Sequence, residues 1–237
     1  RLGAVAPAAG AVEMATASRT TRKRRESARA AARLRRLLKR ERELWEAGHV
    51  RVAGVDEAGM GPLAGPVVAA AVIFPPGTGV RGVDDSKRLT AEKRLVLADE
   101  IRARALAYRV ATIDPPEIDR INIYQAGLLA MRLAIEGLAI PPDFLLVDGR
   151  QLPGMGAEQE KVVKGDARCH AIAAASILAK TARDAVMRCY DRAYPGYGFA
   201  SNKGYPTEGH RDAIRKLGST PIHRRSFTLV PQPKLWD

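Results

Sequence analysis

Four carboxylates sit beside apolar runs that a folded chain would bury. Asp56 and Glu57 follow Val52-Ala53-Gly54-Val55, Asp148 follows Phe144-Leu145-Leu146-Val147, and Asp166 lies in Lys164-Gly165-Asp166 ahead of a long apolar stretch. A carboxylate at the end of a buried strand loses hydration unless something positive offsets the cost. In an otherwise basic chain, such a cluster would form a local anionic pocket. Hard oxygen donors of this kind suit Mg²⁺ or Mn²⁺. Two such ions about 3.5–4 Å apart can activate a water and stabilise the leaving oxygen in phosphodiester cleavage. Spacing alone does not make the four converge. Asp166 could cap a helix, Asp148-Gly149 could form a turn, and Asp56 could pair with an arginine.

The loop Gly59-Met60-Gly61-Pro62-Leu63-Ala64-Gly65 adjoins the first pair. It lacks the Gly-Lys-Ser/Thr of a phosphate-binding P-loop. It also leads through Pro66 into a β-branched run and not into a helix, which excludes a dinucleotide fingerprint. What remains is a tight turn whose N–H groups can meet a ligand at close range. His170 has no second His or Cys at ligand spacing and reads as a plain helix residue. Cys169 and Cys189 are twenty residues apart. On one helix that is about 30 Å, far beyond disulfide reach, so both are expected to be free, which fits a reducing cytoplasm.

An α/β pattern beginning near His49 must position these groups. Residues 51–55 and 67–74 read as strands, and 90–104 as a helix with Thr90 as its N-cap. Residues 108–113 read as a strand, followed by a long helix opened by Pro115 and Pro116 and running through Met131 to Leu138. Residues 144–147 and 161–163 read as short strands, and Ala171 to Tyr190 as a helix buried in its first half. Residues 195–206 read as loop and 207–217 as a closing helix. Strands alternating with helices predict an α/β layer fold with a partly parallel sheet.

The formal charge is +13, which draws polyanions such as nucleic acid. Residues 1–48 hold thirteen Lys/Arg against five Asp/Glu and supply +8 of that total. They divide into a stretch, 1–20, expected to be disordered and a basic segment, Arg22 to Arg42, with Leu34, Leu37, Leu38 and Leu44 at helical spacing. That segment is either a solvated helix with one apolar stripe or an arm that tracks phosphates. The Ala- and Gly-rich start is not read as a secretion signal. No apolar run spans a bilayer, and a membrane partner is not expected.

Taken in order, the motifs resemble ribonuclease HII. They are Asp56-Glu57-Ala58-Gly59-Met60-Gly61-Pro62-Leu63-Ala64-Gly65-Pro66-Val67, Asp85-Ser86-Lys87, Val147-Asp148-Gly149, Lys164-Gly165-Asp166, Ala173 to Lys180, Arg183-Asp184, Asn202 to Thr207 and His223-Arg224-Arg225-Ser226-Phe227. The resemblance covers about residues 44–230. It implies a ribonuclease H-like fold, a mixed central sheet flanked by helices with a small C-terminal helical part, over residues 49–237. It further implies that Asp56, Glu57, Asp148 and Asp166 hold two Mg²⁺ or Mn²⁺ ions. The implied substrates are RNA–DNA hybrids and DNA duplexes containing ribonucleotides, cut 5′ of the ribonucleotide by a monomer. Gly59, Met60 and Gly61 would read the ribose 2′-hydroxyl through backbone groups. Tyr205 would pack on the following nucleotide, and Lys87 and Lys180 would contact phosphates, although either lysine fits a plain surface role. Asp184 fits an arginine-paired structural role equally well. Met60 stands where the family usually has Arg or Lys, and Arg168 is a candidate for part of the missing charge.

Overall fold

The computed structural model describes residues 24–25 and 27–230, so the stretch 1–20, expected to be disordered, lies outside the described residues. Five strands form one sheet in the order β3-β2-β1-β4-β5. They are β1 (Val52–Ala58), β2 (Val67–Ile73), β3 (Ala107–Ile113), β4 (Phe144–Asp148) and β5 (Glu158–Val162). β1, β2 and β3 pair antiparallel, whereas β4 pairs parallel with both β1 and β5. The sheet is therefore mixed, as expected.

The helices are α1 (Lys39–Glu46), α2 (Ala91–Arg104), α3 (Pro115–Ile121), α4 (Ile123–Glu136), α5 (His170–Ala193), α6 (Phe199–Asn202) and α7 (Glu208–Leu217). Residues 27–37, just ahead of α1, are also helical. Thr90 caps α2, its side chain accepting from Lys93 N–H. The single helix expected from Pro115 is two. Asn122 takes φ +68°, breaks the run, and caps α4 by accepting from the N–H groups of Tyr124 and Gln125. α6 occupies part of the expected 195–206 loop, and β5 begins three residues earlier than expected.

Side chains alternate across each strand, so the sheet makes two cores. Ala53 and Val55 pack with Leu145, Val147 and the apolar stripe of α4, while Val68, Ala70 and Val72 pack with α2 and the first half of α5. Gly54 lets α5 lie directly on β1, because a Cβ there would stand 2.1 Å from the Ala171 carbonyl carbon. A third cluster joins Leu63 and Met187 to Tyr197, Phe199 and Ile214 in the C-terminal helical part. A fourth joins Leu44 of α1 to Val52, Phe144 and Ile172. The basic N-terminal segment is thus anchored to the sheet and α5 through Leu44. Glu41, buried, reinforces the anchor by accepting from Ala171 N–H at 2.8 Å in the first turn of α5.

Candidate functional site

β1 extends through Ala58, so Asp56 and Glu57 lie within the strand and not beyond its end as expected. Strand alternation sends them to opposite faces. Asp56 follows Gly54 onto the α5 face, and Glu57 follows Val55 onto the α4 face. Parallel pairing runs as far as Val55 beside Val147, so Asp56 and Asp148, the next residues, lie side by side where that pairing ends, at the carboxyl end of β4. Ligands in α/β sheets bind outside such carboxyl ends. Asp166 lies in a 3₁₀ turn, Gly165–Ala167, that precedes α5 and does not cap it. The Gly165 N–H in that turn donates to Asp148 Oδ1 at 2.6 Å, tying the third and fourth carboxylates together.

All four carboxylates line one cleft of about 240 Å³, together with Gly59, Met60, Gly61, Lys87, Lys180 and Tyr205. The cleft therefore gathers the ten residues assigned above to the metal ions and the substrate. One of them, Lys180, is already paired. Lys180 Nζ donates to Asp184 Oδ1 at 2.6 Å, and Arg94 pairs with the other oxygen of that buried Asp184 at 3.2 Å. Asp184 is thus a structural anion, the alternative left open above. Arg168 lines a different cavity and does not supply the charge missing at Met60. Met60 instead has Arg150 as a neighbour, since both reach the space beside Gly127. Arg150 Nη2 donates to Glu57 Oε1 at 2.7 Å, and its guanidinium stacks 5.5 Å from the Tyr124 ring centre.

The electrostatics follow from burial and crowding. Burial, then the charges of Glu57 and Asp148, pushes the Asp56 carboxyl well above its usual range, and hydrogen bonds from Ser176 and the Glu57 N–H only partly offset this. Burial also raises Glu57 despite Arg150, and Asp148 adds to the rise. Asp166 is raised by burial, then by Asp85 and Asp148. Glu57 Oε2 is buried without a hydrogen-bond partner. Among the described residues, no three Asp, Glu, His or Cys side chains already stand as the ligand set of one ion. Asp56 and Glu57 project from opposite faces, and one oxygen each of Asp56, Glu57 and Asp148 is held by an N–H or guanidinium donor. The all-oxygen donor set, its mutual repulsion and the orphan oxygen fit a divalent cation by chemistry.

Sequence reasoning assigned no role to two buried arginines that shape the cleft wall. Arg224 donates to the carbonyls of Gly59 (2.6 Å), Met60 (3.2 Å) and Gly65 (3.0 Å). Arg183 donates to those of Pro66, Ala64 and Lys203. In a trans peptide the N–H points opposite the C=O. Holding the Gly59 and Met60 carbonyls inward therefore turns the Met60 and Gly61 N–H groups away from Arg224. Among the described residues, no backbone bond outside the helices and strands uses those N–H groups. Gly59 sits at φ +99°, and a Cβ there would meet Arg183 Nε at 2.3 Å, so the turn needs glycine for both reasons. Ser176 and Ser86 were also missed. Their hydroxyls lie 3.0 Å apart and link the Asp85-Ser86-Lys87 segment to α5 beside Asp56.

Tyr205 is held by a histidine pair. Thr220 N–H donates to His223 Nδ1 at 2.9 Å, which leaves that ring's proton on Nε2. This faces His210 Nε2 at 3.2 Å, so His210 carries its proton on Nδ1, 2.9 Å from the Tyr205 carbonyl. Burial lowers both histidines, His223 to about 4. His170 is buried and neutral, its Nε2 accepting from Val80 N–H at 3.0 Å, a helix residue as expected. Cys169 and Cys189 are both free thiols.

The family model for Ribonuclease HII matches residues 53–230. Ribonuclease HII of Myxococcus xanthus (strain DK1622) is 56% identical over 226 residues, covering 94% of this chain and 76% of that protein. Ribonuclease HII of Anaeromyxobacter sp. (strain Fw109-5) is 53% identical over 225 residues, covering 94% and 70%. The crystal structure of ribonuclease H2 from Pyrococcus horikoshii OT3 superposes with a TM-score of 0.66 at 28% identity, over 76% of this chain and 94% of that one. With its mixed sheet, its carboxylate-lined cleft and these relatives, the chain is an enzyme that belongs to the ribonuclease HII family.

Proposed function

We propose that the protein hydrolyses the RNA strand of RNA–DNA hybrids and incises on the 5′ side of single ribonucleotides embedded in duplex DNA, leaving 3′-hydroxyl and 5′-phosphate ends. Cleavage of RNA in RNA–DNA hybrids is the activity of the family. The finer reading is carried by one juxtaposition: the four carboxylates share a cleft with the Gly59–Gly61 turn, whose N–H edge faces away from Arg224.

Asp56, Glu57, Asp148 and Asp166 would hold two Mg²⁺ or Mn²⁺ ions, which when bound supply water activation and stabilisation of the leaving oxygen. The other tasks fall to the chain itself. The Met60 and Gly61 N–H groups offer donors to a ribose 2′-hydroxyl, the group that distinguishes RNA from DNA. Tyr205, 41% exposed on the cleft, offers a ring face to the next nucleotide. Lys87 offers a cation to a backbone phosphate, and Lys180 does so while tied to Asp184. Arg150 holds one oxygen of Glu57 and leaves the other available.

The substrates are thus RNA–DNA hybrid and ribonucleotide-containing DNA duplex, bound by a monomer. A reducing, cytoplasmic setting fits the two free cysteines. Among the described residues no helix is long and apolar enough to cross a membrane. The test is incubation of a DNA duplex carrying one ribonucleotide with Mg²⁺, Mn²⁺ or EDTA, followed by mapping of the product ends. Metal-dependent incision 5′ of the ribonucleotide supports the reading. Cutting of long hybrids alone would keep the chemistry and sink the assignment of the Gly59–Gly61 turn.

A further inference from the structure

A second cavity, of about 490 Å³, opens between α1 and the turn that carries Asp166. Its charged lining is Arg36, Lys39, Arg40 and Arg168 against Glu43 and Glu160. Arg40 is neutralised within the groove, pairing with Glu160 at 2.6 Å and Glu43 at 3.0 Å. Lys39 meets Glu43 only at 4.0 Å. Among the described residues, Arg36 and Arg168 have no carboxylate partner, and both are exposed. The groove therefore presents Arg36, Lys39 and Arg168 to solvent as a basic rim.

Its position gives the rim a meaning. Asp166 lines the carboxylate cleft, while Ala167 and Arg168, the next two residues, line the groove. The two cavities thus share one turn as a wall. A nucleic-acid duplex is stiff, with a persistence length of about 50 nm, so one seated in the cleft cannot bend away within a few base pairs. It must pass over the surface beside its seat. The backbone that carries the rim is also preorganised. Leu37 and Leu44 are buried, Glu41 binds the N-terminus of α5, and Arg40 binds β5, so only the rim side chains remain to be ordered when a phosphate arrives.

We propose that this groove is a flanking-duplex site, in which Arg36, Lys39 and Arg168 contact backbone phosphates of the substrate beyond the cleavage position. The inference rests on the reading of the carboxylate cleft as the hybrid-binding site. It assigns to the N-terminal segment a share of duplex affinity that is independent of sequence and of the reacting bond.

The test measures binding in EDTA, and cleavage with Mg²⁺, for the whole 237-residue chain as wild type, Arg36→Gln/Lys39→Gln and Arg168→Gln. Two duplexes with a central ribonucleotide are compared, one of about 8 base pairs and one of about 24, at a rise of about 3.4 Å per pair. For the long duplex, the double variant is expected to bind roughly tenfold more weakly, with log K against log salt shallower by about one to two. Arg168→Gln should lose about one in slope. The short duplex should be bound and cut equally by wild type and the double variant, which also shows that the fold is intact. Equal affinity and equal slope for wild type and both variants on the long duplex would overturn the proposal. So would loss on both duplexes alike, which would mark a folding defect or a contact inside the cleft. Failure of the wild type to bind either duplex would sink the reading of the cleft as well.

Discussion

A carboxylate that must stay ionised in a protein interior needs either a counter-charge or a way to share its burden. Asp56 and Glu57 divide it by strand alternation, one facing Ser176 and the other Arg150. The residues that shape the cleft without entering it matter equally. Arg224 is fully buried, and burial, then the nearby Arg183, pulls its pKa down to about 9. Its worth lies in three carbonyls that have no other donor at hand. Arg224→Met would leave those acceptors unsatisfied at roughly 1–3 kcal/mol each before relaxation, so a loss of about 2–4 kcal/mol is expected in denaturant titration. The surviving enzyme should also discriminate less between ribonucleotide and deoxyribonucleotide, because the Gly59–Gly61 peptide planes are no longer held. Full discrimination at reduced stability would show that the turn is rigid without Arg224. At Met60, Arg150 is already a neighbour, so a cation stands beside position 60 even though the side chain there is neutral.

At the scale of elements, the histidine relay between α7 and the Tyr205 loop has a definite pH sign. His223 and His170 are neutral in the fold, both with pKa near 4 because of burial. The unfolded chain binds their protons at about 6.5. Their contribution to stability is therefore complete above about 6.5 and is lost as pH falls toward about 4. The difference in unfolding free energy between wild type and His223→Gln should therefore fall as pH is lowered from 7.5 to 4, because the raised carboxyls, which act in the opposite sense, are common to both proteins. An unchanged profile in the variant would show that His223 titrates normally. Glu41 has the opposite sign. Burial raises it from 4.5 to about 7 against the hydrogen bond to Ala171, so its contribution is complete below about 4.5 and is lost as pH rises through about 7. Glu41→Ala removes a helix cap and is expected to cost about 1–2 kcal/mol at pH 5, while Glu41→Gln keeps an acceptor and costs less. Equal losses in the two variants would show that the hydrogen bond to α5 contributes nothing.

The elements also explain which parts of the molecule could be read from the chain. Strands β1, β2 and β4 are apolar runs bounded by Gly and Pro; Asp56, Glu57 and Asp148 stood out as the polar residues in them, and Asp166 as the carboxylate ahead of the buried helix. The split between α3 and α4 was invisible because Asn122 adopts a left-handed conformation that only its local capping bonds reveal. β5 was misplaced because Glu158-Gln159-Glu160-Lys161 is polar and its pairing with β4 comes from tertiary contact. Arg183 and Arg224 looked like two more cations among thirty-nine Lys and Arg, and only burial distinguishes them. Lys180 stood out correctly as a cleft residue, yet its tie to Asp184 follows from the i, i+4 spacing on α5.

Across the whole molecule, the basic N-terminal segment and the catalytic layer share a core. Leu44 packs on Val52, Phe144 and Ile172, and Glu41 closes the N-terminus of α5. Removal of residues 1–46 would expose that apolar face and uncap the helix leading out of the Asp166 turn. A markedly lower melting temperature and weaker duplex binding are expected. A truncated chain that melts as the full one does would show the segment to be an appendage. The central claim, that the four carboxylates make one catalytic cation centre, is tested most directly with Asp148→Asn, which keeps the shape and the hydrogen bond from Gly165 while removing one charge. Single-turnover cleavage of a hybrid in Mg²⁺ should fall by roughly a thousandfold or more, about 4 kcal/mol of barrier, with hybrid affinity in EDTA unchanged within a fewfold. Cleavage within tenfold of wild type would contradict the account and leave Asp148 a structural residue.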